Sequence, residues 1–208
     1  MQTLPALFGL HTPENMLAVG LAIGVLLLLF VFLNKDFRAN TDNILAGIVI
    51  GLIVVAGWYV TGRFGFGEDP DTLEMVYLGT NSHLAESMTF VGPLGYTMNL
   101  WAYWTDSSTI VTFGVASVFG VIVGSLVYGL THKTFRWEAF NSAQDMFRHI
   151  VGAVLMGFGG VTALGCTIGQ GVTGISTLAV SSFIVLAAII AGAAVTMKIQ
   201  YYLLMREA

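Results

Sequence analysis

One short segment near the C-terminal end of the chain combines the residues best suited to chemistry. Residues 165–174 have the sequence Gly-Cys-Thr-Ile-Gly-Gln-Gly-Val-Thr-Gly and hold the single cysteine of the 208-residue chain. The segment interrupts a long apolar stretch. In a lipid bilayer every backbone N–H and C=O needs a partner, so irregular backbone is tolerated only inside protein or beside a water-filled cavity. A glycine-rich break between two hydrophobic arms therefore predicts a binding or transport site.

The polar groups of this segment are suited to a small anion or polar solute. No Lys, Arg, Asp or Glu lies between Ile150 and Met197, so binding there depends on hydroxyls, an amide and backbone N–H groups. The N–H groups that begin a helix favour anions. The sulfur of Cys166 is soft and polarizable, which suits transient contact with a sulfur-containing solute. In the alternative interpretation, Cys166 is a small buried packing residue. The predicted substrate pathway consists of Gly165, Cys166, Thr167, Gly169, Gln170, Gly171 and Thr173.

A second polar, glycine-containing piece lies upstream, in residues 88–104. It could supply the other half of a discontinuous site. Its candidate residues are Thr89, Gly92, Pro93, Gly95 and Tyr96. The chain has no HxxxH, no CxxC and no paired carboxylates within its apolar stretches, so we expect no metal site, and nothing indicates a cofactor.

The composition indicates an integral membrane protein. The chain is 56% hydrophobic and only 10% charged, whereas soluble domains are about 25% charged. Its length allows roughly five or six membrane-embedded segments of about 20 residues, which is one membrane domain over residues 1–208. No basic stripe is present, and this argues against a nucleic-acid partner.

Hydropathy predicts an all-α, polytopic transmembrane helical bundle with re-entrant or broken helices around the glycine-rich motif. The predicted spans are about 16–33, 44–61, 109–130, 150–164 and 175–197, with a re-entrant or interfacial segment at about 88–104. No strand is expected. A short surface helix is predicted before residue 150, with Asn141 or Ser142 as its N-cap. The arm 150–164 is short for a span, so it either dips partway and returns, or 150–174 crosses as a broken helix and 175–197 comes back. The second option is favoured because it keeps Lys198 and Arg206 inside.

The positions of Lys and Arg predict the topology. Seven of the eight basic residues can face the cytoplasm if the N-terminus lies outside. This puts loop 131–149 in the cytoplasm and the acidic loop 62–87 outside. Segment 88–104 then cannot be a full span, because it would turn the basic loop 131–149 outward. The Gly-Pro pair in that segment is interpreted as a break in a helix.

At these motifs the sequence resembles the YeeE/YedE family of bacterial inner-membrane proteins, whose domain is called a sulfur-transport domain. The Gly-Cys-Thr-x-Gly-x-Gly motif within residues 159–174 carries the resemblance, with 176–179, 87–93, 56–62 and 140–146 in support. It covers roughly residues 40–195. The resemblance implies an hourglass-shaped helical protein that passes thiosulfate or a related sulfur anion inward. It also implies that Cys166 is a relay thiol making S–H···S contacts, and that a cytoplasmic sulfurtransferase acts nearby.

The chain departs from long members of this family, which have two related halves with cysteines in both. Here there is one motif, and the chain looks like the C-terminal half of such a member. We therefore expect a second copy or a complementary half-subunit as partner. Three other hypotheses remain open: a pore for another small polar solute, a membrane sulfur carrier that forms a persulfide on Cys166, and a structural subunit without a pathway. In the leading hypothesis the protein is a transporter or channel and not an enzyme.

Overall fold

The computed structural model describes residues 3–7, 9, 12–69, 73–106 and 109–207. Asp71 of the acidic loop lies outside the described residues. The chain forms two compact units. The terminal unit comprises the chain up to Val54 and the chain from Gln170 onward, and the central unit comprises Val55–Gly169.

Helices dominate the terminal unit. Its elements are α1 (Leu4–Leu7), α2 (Pro13–Leu33), α3 (Lys35–Ala39), the first part of α4 (Thr41–Tyr59), most of the π-helix π2 (Gly169–Gly174) and α8 (Val180–Glu207). Helix α2 begins with Pro at its first position, where a missing N–H costs nothing. It ends at Asn34, whose side chain accepts a hydrogen bond from the Asp36 N–H at 2.9 Å and so caps α3.

The start of the chain is tied to the turn that precedes α8. Thr3 forms an antiparallel bridge with Ala179, and the Leu4 N–H donates to the Leu178 carbonyl at 2.9 Å. The Leu178 side chain also reaches the first half of α2, at 3.6 Å from the position a Cβ would take on Gly20. The first half of α2 and the start of α8 therefore lie side by side.

The central unit contains the end of α4 and six further helices and strands. They are π1 (Val60–Phe64), β1 (Phe66–Glu68), β2 (Met75–Tyr77), α5 (Val91–Ala102), α6 (Phe113–Thr131) and α7 (Ala143–Thr162). Strands β1 and β2 form an antiparallel hairpin that pairs Phe66 with Tyr77, whose rings are 5.0 Å apart. The expectation of no strand was wrong for this short hairpin. Leu100 of α5 and Val115 and Val118 of α6 are buried, so α5 packs on one face of α6.

Pro93 starts a helix instead of breaking one. It is the third residue of α5, within the first turn. The first four N–H groups of a helix have no acceptor within the helix, so proline loses no hydrogen bond there. The interpretation of the Gly-Pro pair as a break was therefore wrong. At 12 residues α5 is about 18 Å long, well short of a hydrocarbon core of about 30 Å.

Helix α7 covers two segments that the sequence analysis treated as separate. It begins at Ala143, with Ser142 as N-cap accepting a hydrogen bond from the Asp145 N–H at 3.1 Å. The expected surface helix and the apolar arm from residue 150 are thus one continuous helix of 20 residues.

Four of the described helices are long and apolar enough to cross a membrane: Pro13–Leu33, Thr41–Phe64, Phe113–Thr131 and Val180–Leu203. Their large apolar side chains are mostly exposed; Leu29 of α2 and Ile184 of α8, for example, are 60% and 66% accessible. Such surfaces require lipid or another apolar partner. The protein is an all-α, multi-pass membrane protein, as expected.

Candidate anion pathway at Cys166

Helix α7 stops just before the cysteine, in a Schellman motif. The Gly165 N–H donates to the Gly160 carbonyl at 2.9 Å, and the Leu164 N–H donates to Val161 at 3.1 Å. Leu164 has φ = 53°, a left-handed conformation that costs a non-glycine residue about 1–2 kcal/mol. The predicted interruption of the apolar stretch is therefore present, and it begins at the end of α7.

The backbone beyond the cysteine is helical again, in an unusual form. Thr167 and Ile168 open a helical turn that continues directly into π2. Residues 165–174 are therefore not one opened piece of main chain, because the non-helical part ends at Cys166. A wide π turn of this kind occurs frequently at functional sites.

The sulfur of Cys166 is surrounded by backbone donors. The Gly169 N–H lies 3.3 Å from Sγ. The backbone amides of Phe90, Val91 and Ile168 also lie close enough to this sulfur to interact with it. The side chain is half-buried and carries a free thiol. Two helix starts thus converge on one atom: the beginning of α5 and the turn that leads into π2. This is the donor geometry that attracts negative charge.

Thr89 brings the upstream piece against the motif. A Cβ placed on Gly169 would lie 2.7 Å from Thr89 Oγ1, 3.3 Å from Thr89 Cβ and 3.7 Å from Cys166 Sγ. The absence of a side chain at Gly169 therefore lets the Thr89 hydroxyl stand close to the cysteine. Thr89 of the upstream half-site and Gly169 of the glycine-rich motif therefore lie next to each other within the central unit.

Two close helix contacts hold α5 in place. A Cβ on Gly160 of α7 would lie 2.7 Å from Val91 Cγ2, and one on Gly114 of α6 would lie 2.6 Å from Pro93 Cγ. Pro93 is buried, so it packs against α6. Gly160 lets the start of α5 approach α7, and Gly114 lets the same turn pack on α6. Together these contacts fix the two amides beside the sulfur.

The same contacts fix the depth of the site along α6. Gly114 is the second residue of that helix, eight residues before its middle, which corresponds to about 12 Å of helix. The loop that precedes α5 is fixed at the same end, because the Phe113 N–H donates to the Gly79 carbonyl at 2.9 Å and the Thr61 hydroxyl donates to the Glu86 carbonyl. Cys166 therefore lies toward the end of the central unit that carries the acidic loop.

The remaining predicted residues have mixed environments. A Cβ placed on Gly92 would lie 3.6 Å from the Tyr96 ring of the same helix, and a Cβ on Gly95 would meet nothing within 4 Å. Gly165 is buried and Thr167 is exposed. Gln170, Gly171 and Thr173 belong to the terminal unit, where the Gln170 Oε1 accepts a hydrogen bond from the Ser182 hydroxyl at 2.6 Å and Thr173 is buried.

Sequence reasoning missed the amides of Phe90 and Val91 beside Cys166. It also missed the hydrogen bond from Ser182 to Gln170 within the terminal unit. The amides carry no side-chain signature, but Pro93 two residues later is a signal for a helix start and thus for unused N–H groups. Within the described ranges, no three His, Cys, Asp or Glu side chains lie close enough together to hold a metal ion. The donors around Cys166 are N–H and O–H groups, which suit an anion.

Comparison with known proteins identifies the family. The model of a protein family described as "Sulphur transport" matches residues 27–195. The chain belongs to the sulphur transport family. It is also similar to the thiosulfate transporter TsuA of Escherichia coli (strain K12), with 30% identity over 137 residues. That match covers 65% of this chain and 32% of the relative, so the chain spans about a third of the length of the curated relative it matches. No solved structure matches the chain. The family expected from the Gly-Cys-Thr motif is confirmed.

Proposed function

We propose that this member of the sulphur transport family passes thiosulfate, or a related small sulfur-containing anion, into the cytoplasm, with Cys166 touching the ion on its way. The observation that carries the proposal is the set of four backbone amides around Cys166 Sγ, just beyond the end of α7. Family membership and the similarity to a thiosulfate transporter support the same substrate class.

The chemistry of the site suits thiosulfate in two ways. Its oxygens are hard acceptors, which backbone N–H groups and the Thr89 hydroxyl can bind. Its terminal sulfur is soft and polarizable, as is Sγ of Cys166, so the two sulfurs make a favourable contact. We expect Gly165, Thr167 and Gly169 to frame this contact.

The lack of charged side chains around the motif favours passage of the anion over tight binding. No Lys, Arg, Asp or Glu lies between Ile150 and Met197. Dipoles therefore hold the anion without a full counter-charge. A permeant must bind well enough to enter and weakly enough to leave, so moderate binding by dipoles is what conduction requires.

The proposed orientation has the N-terminus outside the inner membrane of a bacterium and loop 131–149 in the cytoplasm. The hydrogen bond between Leu4 and Leu178 places the start of the chain beside the turn that precedes α8. If the N-terminus lies outside, α8 therefore starts on the outer side and runs inward. Lys198 and Arg206 near the end of α8 lie on the cytoplasmic side in this arrangement, in agreement with the positive-inside rule. The acidic loop, and with it the end of the central unit nearest Cys166, faces outward.

The proposed partners lie in the membrane and at its cytoplasmic face. In the membrane, we propose that a second copy of the chain or a complementary half-subunit contributes to the pathway. At the cytoplasmic face we expect a sulfurtransferase to receive the ion. The exposed side chains of Lys133, Arg136 and Arg148 in loop 131–149 offer such a partner a basic surface.

A sulfur-carrier function is the second candidate, and the same amides favour it. They would stabilise negative charge on Sγ of Cys166. A Cys166 thiolate that attacks the terminal sulfur of thiosulfate forms a new S–S bond. The original S–S bond breaks, and sulfite leaves with its electron pair. The product is a persulfide on Cys166, and no further oxidant is required. The absence of any +32 Da adduct on Cys166 after incubation with thiosulfate, about the mass of one sulfur atom, would exclude this candidate.

Uptake into proteoliposomes tests the main proposal. The purified chain is reconstituted and given labelled thiosulfate, with labelled sulfate as the parallel substrate. We expect thiosulfate to enter faster than sulfate, and Cys166→Ser to remove this preference while the protein elutes as a folded species. Equal entry of both anions, or unchanged preference in Cys166→Ser, would contradict the role of the thiol.

A further inference from the structure

The segment that leads to the Phe90 and Val91 amides has no regular structure of its own. Residues 85–89 lie in neither a helix nor a strand, so the hydrogen bonds of a helix or sheet do not fix their position. The place of the two amides beside Cys166 therefore depends on the contacts that hold each end of the segment. At the far end, Val91 packs against α7 and Pro93 against α6.

The near end is held by one buried hydroxyl. Thr61 lies in π1 and is only 2% exposed. Its hydroxyl donates to the Glu86 carbonyl and accepts a hydrogen bond from the Glu86 N–H at 3.2 Å. The Gly57 carbonyl, one turn earlier in α4, lies 2.9 Å from the same oxygen. A hydroxyl has one proton to donate and two lone pairs to accept with, so a single side chain serves both backbone groups of Glu86.

Gly57 lets the segment come this close to α4. A Cβ on Gly57 would lie 2.6 Å from Ser87 Oγ and 3.3 Å from Ser87 Cα. Ser87 is only 2% exposed. The backbone at residues 86 and 87 therefore lies directly against the end of α4.

The two anchored ends of the segment are close together in the chain. Only residues 88–90 separate Ser87 from Val91, whose side chain packs against Gly160. Three residues span at most about 11 Å when fully extended, so the connection has little slack. A shift of the backbone at residue 86 is therefore passed on to the amides of Phe90 and Val91.

We propose that Thr61 is a positioning residue for the anion: by holding the backbone of Glu86, its hydroxyl places the amides of Phe90 and Val91 where they meet the ion. Thr61 acts through the segment and not by contact with the ion. The inference rests on the proposed function, which brings the anion to Cys166.

Two substitutions at Thr61 separate the hydroxyl from the shape of the side chain. Thr61→Val keeps the shape but removes the partner of the Glu86 backbone. We expect the thiosulfate concentration that gives half-maximal uptake into proteoliposomes to rise about fivefold, which corresponds to the loss of one neutral hydrogen bond to the ion. Thr61→Ser retains the hydroxyl and should keep the wild-type value. A merely structural role would lower the maximal rate through the folded fraction and leave the half-saturating concentration unchanged.

Thr196→Val is the matched control. Thr196 is exposed in α8, and its hydroxyl donates to the Gly192 carbonyl one turn earlier, at 2.9 Å. It therefore shares the local contact that Thr61 makes with Gly57, but its hydroxyl bond stays within its own helix. We expect wild-type kinetics. An unchanged half-saturating concentration in Thr61→Val, or an equal rise in Thr61→Ser or Thr196→Val, would overturn the inference.

Hydrogen exchange tests the anchor without transport. In the wild-type protein the Glu86 N–H should exchange slowly although it lies in no helix or strand, because it is bonded to a buried hydroxyl. In Thr61→Val we expect exchange at residues 86–91 to become about tenfold faster while α6 keeps its protection. Fast exchange at Glu86 in the wild-type protein would overturn the inference, even if Thr61→Val does not fold.

The two assays also distinguish failure of the inference from failure of the proposed function. If the wild-type protein takes up no thiosulfate at all, the proposed function itself has failed. Wild-type uptake with unchanged kinetics in Thr61→Val means that only the positioning role is wrong.

Discussion

The close contact between Gly169 and Thr89 makes Gly169→Ala a sharp test of the site geometry. The added Cβ would lie 2.7 Å from Thr89 Oγ1 and 3.3 Å from Thr89 Cβ, so the upstream piece must move away from Cys166. Overpacking of this kind costs about 1–3 kcal/mol. For a chain of this size we expect the melting temperature in detergent to fall by about 3–10 °C. Thiosulfate uptake should fall further than the folded fraction does.

Two further variants separate steric from chemical effects. Gly152→Ala is the matched control, since a Cβ there meets nothing within 4 Å and alanine favours the helix by up to about 1 kcal/mol. Adding Thr89→Ala to Gly169→Ala removes the nearest atom, so the melting temperature should recover, whereas uptake should stay low because the hydroxyl is lost. A melting temperature for Gly169→Ala equal to that of Gly152→Ala would refute the close approach of Thr89 to the motif.

Three stability predictions concern the helices around the site. Gly114→Ala should destabilise the protein by about 1–3 kcal/mol, because its Cβ would lie 2.6 Å from the rigid Pro93 ring. Gly120→Ala on the same helix meets nothing within 4 Å and should melt at or slightly above the wild-type temperature. Leu164→Gly should stabilise by about 1 kcal/mol, because it relieves the left-handed φ of 53°; a lower melting temperature would contradict this. Ser142→Ala should cost about 1 kcal/mol through loss of the N-cap of α7, and thermal unfolding that shows no loss would refute the capping role.

The membrane helices could be predicted from the sequence because their signal is local. The apolar run 16–33 predicted α2 to within a few residues. The polar residues before α7 predicted its N-cap at Ser142. The glycine-rich motif located the interruption after α7. Each of these depends on residues adjacent in the chain, where hydropathy and capping chemistry act directly.

The contacts of the site could not be predicted because they join distant residues or use only backbone. Nothing in the side chains of Phe90 and Val91 indicates that their amides contact Cys166. The bond from Ser182 to Gln170 spans 12 residues and depends on how π2 and α8 meet. The hairpin in the acidic loop escaped notice because its strands have only three residues each, too few for an alternating pattern to show.

Chemical labelling of Cys166 tests the central claim most directly, since it is the only cysteine and the wild-type protein can be used unchanged. Sealed vesicles of known orientation are treated from outside with a membrane-impermeant maleimide, with and without thiosulfate, and sulfate serves as the control anion. A soluble peptide thiol in the same tube corrects for reagent that thiosulfate consumes. We expect Cys166 to react from the side of the acidic loop and thiosulfate, but not sulfate, to slow the reaction. A cysteine that reacts only after denaturation, or at a rate that thiosulfate leaves unchanged, would contradict a thiol facing the path of the anion.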